Sequence, residues 1–332
     1  MMRCANRLRA PVFVVAVAAV AAAAPAAAQD ANFLLPIAEI ERILREGELQ
    51  VLDVHPSRGL PGERTYRVTL QSGDHVLQVK YAPAGEGADE FNNRPRYELA
   101  AYDVQALFLD EREMVVPPTA IRAFPVDVVR ATVARTGDAA PPPEPTFDEW
   151  PMTLVALQYW MFNVDLPDDL PDDDRIEEDE VYERLLGNFN LLTYIIRHSD
   201  SNEGNFVQSL DPAWPRMFSV DNGVAFASEE SSRGTQWRNL RLDRYAASAI
   251  DRLRGLSLED LQARLGVLVE LELRAGNFVE VEPTENLDPG RGVRREADRI
   301  QLGLTESEIR AMHRRIVRLL ERVDDGRYEL IP

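Results

Sequence analysis

Apolar and polar residues alternate along three short segments between residues 49 and 81, and this alternation constrains the fold more than any other feature. The segments read LQVLDVH, TYRVTLQ and HVLQVKY. A period of two is typical of β-strands that bury one face. The connecting segments, PSRGLPGE and SGD, contain glycine and are short enough to be turns. We therefore expect an antiparallel meander of three strands near the start of the folded chain.

The segments around this meander predict further helices and strands. Apolar residues at helical spacing in IAEIERILREGEL predict a leading helix over 37–49, and RPRYELAAYDVQALFLD predicts an amphipathic helix over 94–110. Three more segments are expected to be strands: VVPPTAIRAF, VDVVRATVA and MTLVALQYW. Residues 135–150 are a Pro-rich loop, and the acidic run 165–180 is expected to be a solvated loop that leads into a helix. We expect the N-terminal part to contain five strands and one main helix, with MTLVALQYW as the strand that connects it to the C-terminal part.

From residue 181 onward, the pattern predicts a mostly helical structure. The three segments expected to be helical are VYERLLGNFNLLTYIIRH, LSLEDLQARLGVLVELELRAG and LTESEIRAMHRRIVRLLERV. The second begins on a capping-box pattern of Ser257 with Asp260, and the third on Thr305 with Glu308. The predicted class is therefore α+β, with a small β-rich N-terminal part and a larger helical C-terminal part. A ligand is expected in the cleft between the two parts.

Residues 1–28 have the three-part pattern of a secretory signal peptide. Arginines precede a short apolar run, and AAAQD offers an A-x-A cleavage site after Ala28. We therefore expect an exported protein, periplasmic or secreted, with no stable membrane anchor after cleavage. The only cysteine, Cys4, lies before the apolar run and leaves with the signal. The mature chain can then form no disulfide and no thiolate metal site.

The charge balance excludes one large class of partners. The formal net charge is -19, and the signal peptide carries three of the positive charges. Phosphate-backbone binding needs a basic surface, so a nucleic-acid partner is not expected. Anionic membrane surfaces are disfavoured for the same reason.

Oxygen-bearing side chains are concentrated in two turn-like segments of the C-terminal part. In RHSDSNEGNFV, Asp200 follows the long apolar helix, and Asn205 lies five positions further on. In MFSVDNGVAF, Asp221 opens a turn after a strand-like segment. Two carboxylates and an amide oxygen can then converge on one point. Such hard oxygen ligands suit Mg²⁺ or Mn²⁺, which share their coordination shell with water and substrate phosphates.

Lys80 is the only lysine among the 37 lysines and arginines of the chain, and it ends the third predicted strand. At that position an ammonium can reach the cleft and contact nucleotide phosphates. Glu98 on the next helix is its expected partner, with Glu90 as a competing candidate. The loop between the first two strands can lay backbone N–H groups over phosphates, since Gly59 and Gly62 permit close approach. Arg58 in the same loop can add positive charge.

Taken in order, these residues resemble the protein-kinase-like fold. Lys80 matches the lysine of strand three, and Glu98 matches its partner on helix C. HSDSNEGN matches the catalytic-loop pattern H-x-D-x-x-x-x-N, which makes Asp200 the catalytic aspartate and Asn205 a metal ligand. The segment DNG, which begins at Asp221, stands where protein kinases have Asp-Phe-Gly.

The details resemble atypical branches of that fold. VDNGVAF is similar to the metal-binding segment of the secretory Fam20-type kinases. The D-x-x-x-x-N loop resembles that of the phosphoinositide 3/4-kinase-like group, including bacterial proteins in which a helix leads into a Val-Pro-Pro strand. The resemblance covers roughly residues 50–245. In these folds the aspartate carries the catalytic role, so His198 is expected to be a structural loop residue.

The resemblance implies a bilobal fold and an enzymatic activity. It places an N-terminal extension at 29–49, an N-lobe and hinge at 50–162, and a C-lobe with a helical C-terminal extension at 163–332. Tyr159 and Trp160 would lie at the hinge beside the adenine of ATP. The implied reaction is phosphoryl transfer from ATP, with Mg²⁺ or Mn²⁺, to an unknown hydroxyl acceptor on a protein, lipid or sugar. Two alternatives stay open: a pseudokinase that binds or scaffolds, and an enzyme that transfers AMP.

Overall fold

The computed structural model describes six ranges of the chain. They are residues 30–57, 64–90, 94–137, 141–168, 170–226 and 236–332. The predicted signal peptide lies outside the described residues, as do Arg58, Gly59 and Gly62. None of the helices within the described ranges is both long and apolar enough to cross a membrane.

The N-terminal part contains a five-stranded antiparallel sheet, preceded by a helix, α1 (Ile37–Glu46). Its strands are β1 (Gln50–Pro56), β2 (Tyr66–Ser72), β3 (His75–Pro83), β4 (Thr119–Pro125) and β5 (Met152–Tyr159). The spatial order is β1-β2-β3-β5-β4, so the predicted meander of the first three strands is confirmed. A second helix, α2 (Pro95–Gln105), is buried along almost its whole length and packs against β4 and β5.

One segment that we predicted as a strand is a helix. VDVVRATVA forms α3 (Val126–Val133), which begins directly after Pro125 at the end of β4. Its β-branched residues favour a strand locally. The residues that are buried, Val129, Thr132 and Val133, lie three and four positions apart, which is the spacing of one helical face. Packing of that face against β1 and β5 therefore decides the structure.

The C-terminal part begins with helices and a small sheet. These elements are β6 (Val164–Asp165), α4 (Asp173–Glu178), α5 (Glu180–Ile195), β7 (Phe206–Ser209) and β8 (Met217–Ser219). β6, β7 and β8 form a three-stranded antiparallel sheet. The acidic run forms the expected loop and helix start, because Asp172 caps α4 and Asp179 caps α5.

The remaining described residues form further helices, two of which begin at the predicted capping boxes, and a sheet that was not predicted from the sequence. The helices are α6 (Ala247–Arg254), α7 (Leu258–Leu265) and α8 (Glu306–Asp324). The strands are β9 (Arg244–Ala246), β10 (Val269–Arg274), β11 (Asn277–Val281), β12 (Val293–Glu296), β13 (Arg299–Leu302) and β14 (Glu329–Ile331). β10 to β13 form a four-stranded antiparallel sheet in the order β11-β10-β13-β12. Both predicted capping boxes, at the starts of α7 and α8, are present.

The prediction of a mostly helical C-terminal part, with one helix over 256–276, is wrong. The helix ends at Leu265, and β10 follows after Gly266. Val269 and Leu271 are buried two positions apart, which is strand spacing. Glu270 between them is also fully buried, where it accepts hydrogen bonds from Thr284 and Gln301. These long-range partners make a buried glutamate tolerable in a strand.

A carboxyl group lies between the two N-terminal helices and the C-terminal sheet. Asp103 on α2 is near Arg45 and Glu41 of α1, and near Glu280 of β11. Burial raises the pKa of Asp103 to about 7; Arg45 opposes this shift, while Glu41 and Glu280 add to it. Because this value lies above that of an unfolded chain, the ionised form destabilises the folded state.

We predict that Asp103→Asn stabilises the protein above pH 7. The wild type loses stability as the pH rises from the ordinary pKa of an aspartate, about 4, towards 7, whereas an amide does not ionise. The melting temperature of the variant should therefore exceed that of the wild type at pH 8, and the difference should shrink at pH 5. Asp251→Asn, at an exposed position of α6, is the control. A pH-independent difference for Asp103→Asn would contradict the assignment.

Candidate functional site

Lys80 and Glu98 form an ion pair at the junction of β3 and α2. The Nζ of Lys80 lies 2.9 Å from Oε1 of Glu98, and their side chains are only 14% and 10% exposed. The predicted contact is therefore confirmed. The competing candidate, Glu90, is more exposed and lies 3.5 Å from Arg64. Burial raises the pKa of Glu98, Lys80 opposes the shift, and the nearby Asp221 adds to it.

The ammonium of Lys80 faces three oxygens that come from two separate parts of the chain. Besides Glu98, its Nζ donates to the carbonyl of Val220 at 3.0 Å and lies 3.6 Å from Oδ1 of Asp221. An ammonium has three donors around one point. The lone lysine of this chain therefore stands where acceptors converge on a single centre, a geometry that a planar guanidinium does not match.

The second oxygen of Glu98 holds the turn that follows β8. The backbone N–H of Asn222 donates to Oε2 of Glu98 at 3.0 Å. The side chain of Asn222 is fully buried, and its Oδ1 accepts from the hydroxyl of Ser219 at 2.7 Å. Glu98 thus connects Lys80 to the Asp221–Asn222 turn. The contact of Asn222 with Glu98 was not predicted, because it is made by the backbone N–H of Asn222 and not by its side chain.

The loop that contains Asp200 and Asn205 is bonded to this same turn. The backbone N–H of Val220 donates to the carbonyl of Asn205 at 3.0 Å. One step further, the N–H of Ser199 donates to the carbonyl of Val224 at 2.9 Å. These bonds bring the two predicted oxygen-rich segments side by side, as the sequence analysis expected. They place Ser199, which precedes Asp200, beside Val224, and they place Asn205 beside Val220, which precedes Asp221.

Asn205 also holds the carboxylate of Asp200. Its Nδ2 donates to the backbone carbonyl of Asp200 at 2.8 Å and to Oδ2 of Asp200 at 3.0 Å. The backbone N–H and the Nδ2 of Asn202 donate to that carbonyl as well. Asp200 is therefore fixed by its own loop while its side chain is only half-buried. A partly exposed, oriented carboxylate is suited to accept a proton from a bound hydroxyl group.

Asn205 and Asp221 carry oxygen ligands of the type that a hard divalent cation prefers. Because Nδ2 of Asn205 is directed at Asp200, its amide oxygen points away from that carboxylate. The side chain of Asp221 is 36% exposed, so its carboxylate is accessible. One carboxylate and one amide oxygen suit Mg²⁺ or Mn²⁺ with water and phosphate oxygens as further ligands. In the described part of the chain, no three His, Cys, Asp or Glu side chains are grouped as a metal site.

His198 lies beneath this loop and is fully buried. The ring packs edge-on against Phe206 with centroids 5.9 Å apart. Burial lowers the pKa of His198, and Asp221 opposes this shift. A neutral, enclosed imidazole packs as a core residue, which agrees with the expected structural role.

A row of polar side chains crosses one face of the five-stranded sheet at Lys80. Arg67 on β2 and Gln158 on β5 are the direct cross-strand neighbours of Lys80, and Thr119 on β4 is the neighbour of Gln158. Directly paired residues share a face of the sheet. The sequence analysis did not single out Arg67, Gln158 or Thr119, because cross-strand register cannot be read from one strand.

Of the two predicted hinge residues, only one lies near this row. The guanidinium of Arg67 lies over the ring of Trp160, 5.6 Å from its centroid. Tyr159 pairs with Val79, so its side chain is on the face opposite to Lys80. The Tyr159 ring packs against Phe33, and its hydroxyl accepts a hydrogen bond from the backbone of Leu34. The structure therefore does not bring the ring of Tyr159 to Lys80.

Comparison with known proteins gives no family for this chain: no protein-family model matches its sequence, and no curated protein matches it either. The geometry of the described residues is therefore the basis for the function proposed below.

We predict a strong energetic coupling between Lys80 and Glu98. Lys80→Met should destabilise the protein by about 3–5 kcal/mol, because it leaves a buried carboxylate without its partner. The double variant Lys80→Met/Glu98→Gln should be less destabilised than the sum of the two single variants, by roughly 0.5–3 kcal/mol. Denaturant unfolding of the four proteins measures this difference.

The exposed pair Arg254–Asp324 provides a control cycle. Its atoms are 2.8 Å apart, but the side chains are 45% and 59% exposed. Exposed pairs couple by about 0–1 kcal/mol. A Lys80–Glu98 coupling no larger than that of the control would show that the two side chains do not interact as the structure places them.

Proposed function

We propose that this protein is an atypical kinase-like phosphotransferase that uses ATP and a divalent metal ion. In this proposal the five-stranded sheet and α2 are the N-lobe, and the part from β6 onward is the C-lobe with its extension. One observation carries the proposal: the ammonium of Lys80 is held between Glu98 and the Asp221–Asn222 turn. The buried Lys80–Glu98 pair lies beside the accessible carboxylate of Asp221, and this arrangement is expected next to nucleotide phosphates.

Lys80 is the group that positions the phosphates. Glu98 holds its ammonium in place, and Val220 fixes it from the other side through the backbone carbonyl. The positive charge is thereby oriented before any ligand binds, so little reorganisation is needed during the reaction. Arg67 lies on the same face, one strand away, and adds a second cation beside Trp160.

Asp221 and Asn205 are the residues that would hold the divalent cation. When bound there, Mg²⁺ or Mn²⁺ would neutralise charge on the phosphate oxygens. The role of Asp200 is to orient the acceptor hydroxyl and to accept its proton. Asn205 keeps the Asp200 carboxylate in one orientation by donating to Oδ2. The acceptor is a hydroxyl group of a protein, a lipid or a sugar.

Asp221→Ala tests the metal assignment. With γ-labelled ATP and Mg²⁺ or Mn²⁺, we expect the wild type to transfer label to itself or to added acceptor, and the variant to lose at least about 99% of that transfer. The expected loss follows from removal of a metal ligand in a reaction that depends on electrostatic stabilisation. Far-ultraviolet circular dichroism and the melting temperature should show that the variant remains folded, because Asp221 is partly exposed.

Asp211→Ala is the matched control. This aspartate lies in the turn between β7 and β8, where it accepts from the backbone of Ala213, and its replacement should leave the transfer unchanged. Transfer that survives Asp221→Ala would contradict the metal assignment. Label that arrives from α-labelled ATP and not from γ-labelled ATP would replace phosphoryl transfer by AMP transfer. No transfer and no nucleotide binding by the wild type would favour a pseudokinase.

A further inference from the structure

The two residues that precede Glu98 in α2 both contact one glutamate of the C-terminal helix. Nη1 and Nη2 of Arg96 donate to the two carboxylate oxygens of Glu308, at 2.8 and 3.1 Å. The hydroxyl of Tyr97 donates to Oε1 of the same carboxylate. Arg96 and Glu308 are 212 positions apart in sequence, and both side chains are largely buried. We call Arg96, Tyr97 and Glu308 the α2–α8 clamp.

Glu308 is fixed at its own end by the start of α8. Its Oε2 accepts the backbone N–H of Thr305 at 2.7 Å, and its own N–H donates to the hydroxyl of Thr305 at 3.2 Å. Burial by itself raises the pKa of Glu308, but Arg96 and Tyr97 outweigh burial and hold that pKa below its ordinary value. The carboxylate is therefore ionised at neutral pH, as a two-bond contact with a guanidinium requires.

The chain near β12 and β13 encloses the other side of Arg96. Nη1 of Arg96 also donates to the carbonyl of Gly303 at 3.4 Å. A Cβ atom at Gly292 would collide with the guanidinium, so glycine is needed there for the close approach. The residues that surround Arg96 here, Gly292, Gly303 and Glu308, thus lie outside the part of the chain where the kinase resemblance was found.

The clamp also reaches the segment that follows the Asp221–Asn222 turn. The ring of Tyr97 packs against that of Phe226, with centroids 5.2 Å apart. The backbone N–H of Phe226 donates to the carbonyl of Ile196, at the end of α5. Tyr97 therefore contacts α8 through its hydroxyl and the Phe226 segment through its ring. Movement of α2 would disturb both contacts.

We propose that Glu308 is a positioning residue for the candidate active site. It acts through Arg96 and Tyr97 to hold α2 where Glu98 reaches both Lys80 and the backbone of Asn222. This inference rests on the proposed function, since it assigns Glu308 a part in nucleotide use. Without the clamp, α2 would occupy this position for only a fraction of the time. The apparent dissociation constant for ATP then rises by the inverse of that fraction.

Hydrogen exchange tests the positional coupling without any need for catalysis. In Glu308→Gln we expect amides of α2 and of residues 220–226 to exchange about tenfold faster or more, the scale expected when a buried ion pair is broken. The matched control is Glu306→Gln in the same helical turn, where the glutamate accepts from Gln262 and Arg310 and does not touch α2. Its exchange in these segments should equal that of the wild type.

Two milder variants keep the test decisive if Glu308→Gln does not fold. Tyr97→Phe removes one hydrogen bond to Glu308 and keeps the ring that packs on Phe226. Gly292→Ala displaces the side chain of Arg96 and changes no residue of α2 or α8. Gly290→Ala is its control, since a Cβ there meets only Asp288 at 3.1 Å. Faster exchange in α2 and in 220–226 is expected for Tyr97→Phe and Gly292→Ala, and not for Gly290→Ala.

Steady-state kinetics with ATP separates positioning from a folding defect. We expect the KM for ATP to rise about tenfold in the clamp variants while kcat stays within about twofold, because saturating ATP selects the competent position of α2. Partial unfolding would instead lower kcat per mole of protein and leave KM unchanged. Hydrogen exchange that equals the wild type in every folded clamp variant would overturn the proposal. Faster exchange together with an unchanged KM for ATP would overturn it as well. Faster exchange in a protein whose wild type does not use ATP would support the clamp and refute the proposed function.

Discussion

The ion pair between Lys80 and Glu98 is the constraint on which the candidate site depends. Two buried charges are stable only when their geometry is good and their remaining donors and acceptors are used. Here Glu98 accepts from Lys80 with one oxygen and from Asn222 with the other, while Lys80 also faces Val220 and Asp221. The pair therefore fixes three separate elements at one point: β3, α2 and the turn after β8.

Comparison with the buried arginines of the same chain explains why this position is a lysine. Arg216 donates to Asp30, Asn32 and the carbonyl of Arg112, and Arg294 donates to three backbone carbonyls. These acceptors are spread out around a planar fork. At Lys80 the oxygens converge on one nitrogen instead. Arg216 and Arg294 thus serve acceptors that are spread out, whereas the compact ammonium of Lys80 serves acceptors that converge.

Local sequence patterns predicted much of this structure. Strict alternation predicted the meander, and the positions of Lys80 and Glu98 on successive elements predicted their contact. The two wrong predictions of secondary structure concern segments that depend on distant partners. α3 is helical because of the face that it buries against the sheet. β10 is a strand in which the buried Glu270 accepts a hydrogen bond from Gln301. The clamp residue Glu308 was recognised only as part of a capping box. Its bonds to Arg96 span 212 positions, and no local signal indicates them.

Whether the ammonium of Lys80 itself binds nucleotide phosphates is measured most directly by the response of Lys80→Arg to ATP. At a hundredfold excess over its dissociation constant, ATP with Mg²⁺ should stabilise the wild type by about 2.7 kcal/mol. With an unfolding entropy of about 2.1 cal/mol/K per residue and about 300 residues, this corresponds to a rise in melting temperature of roughly 4 °C. We expect Lys80→Arg to stay folded without ligand and to show no rise in melting temperature when ATP is added. A rise equal to that of the wild type would contradict this expectation.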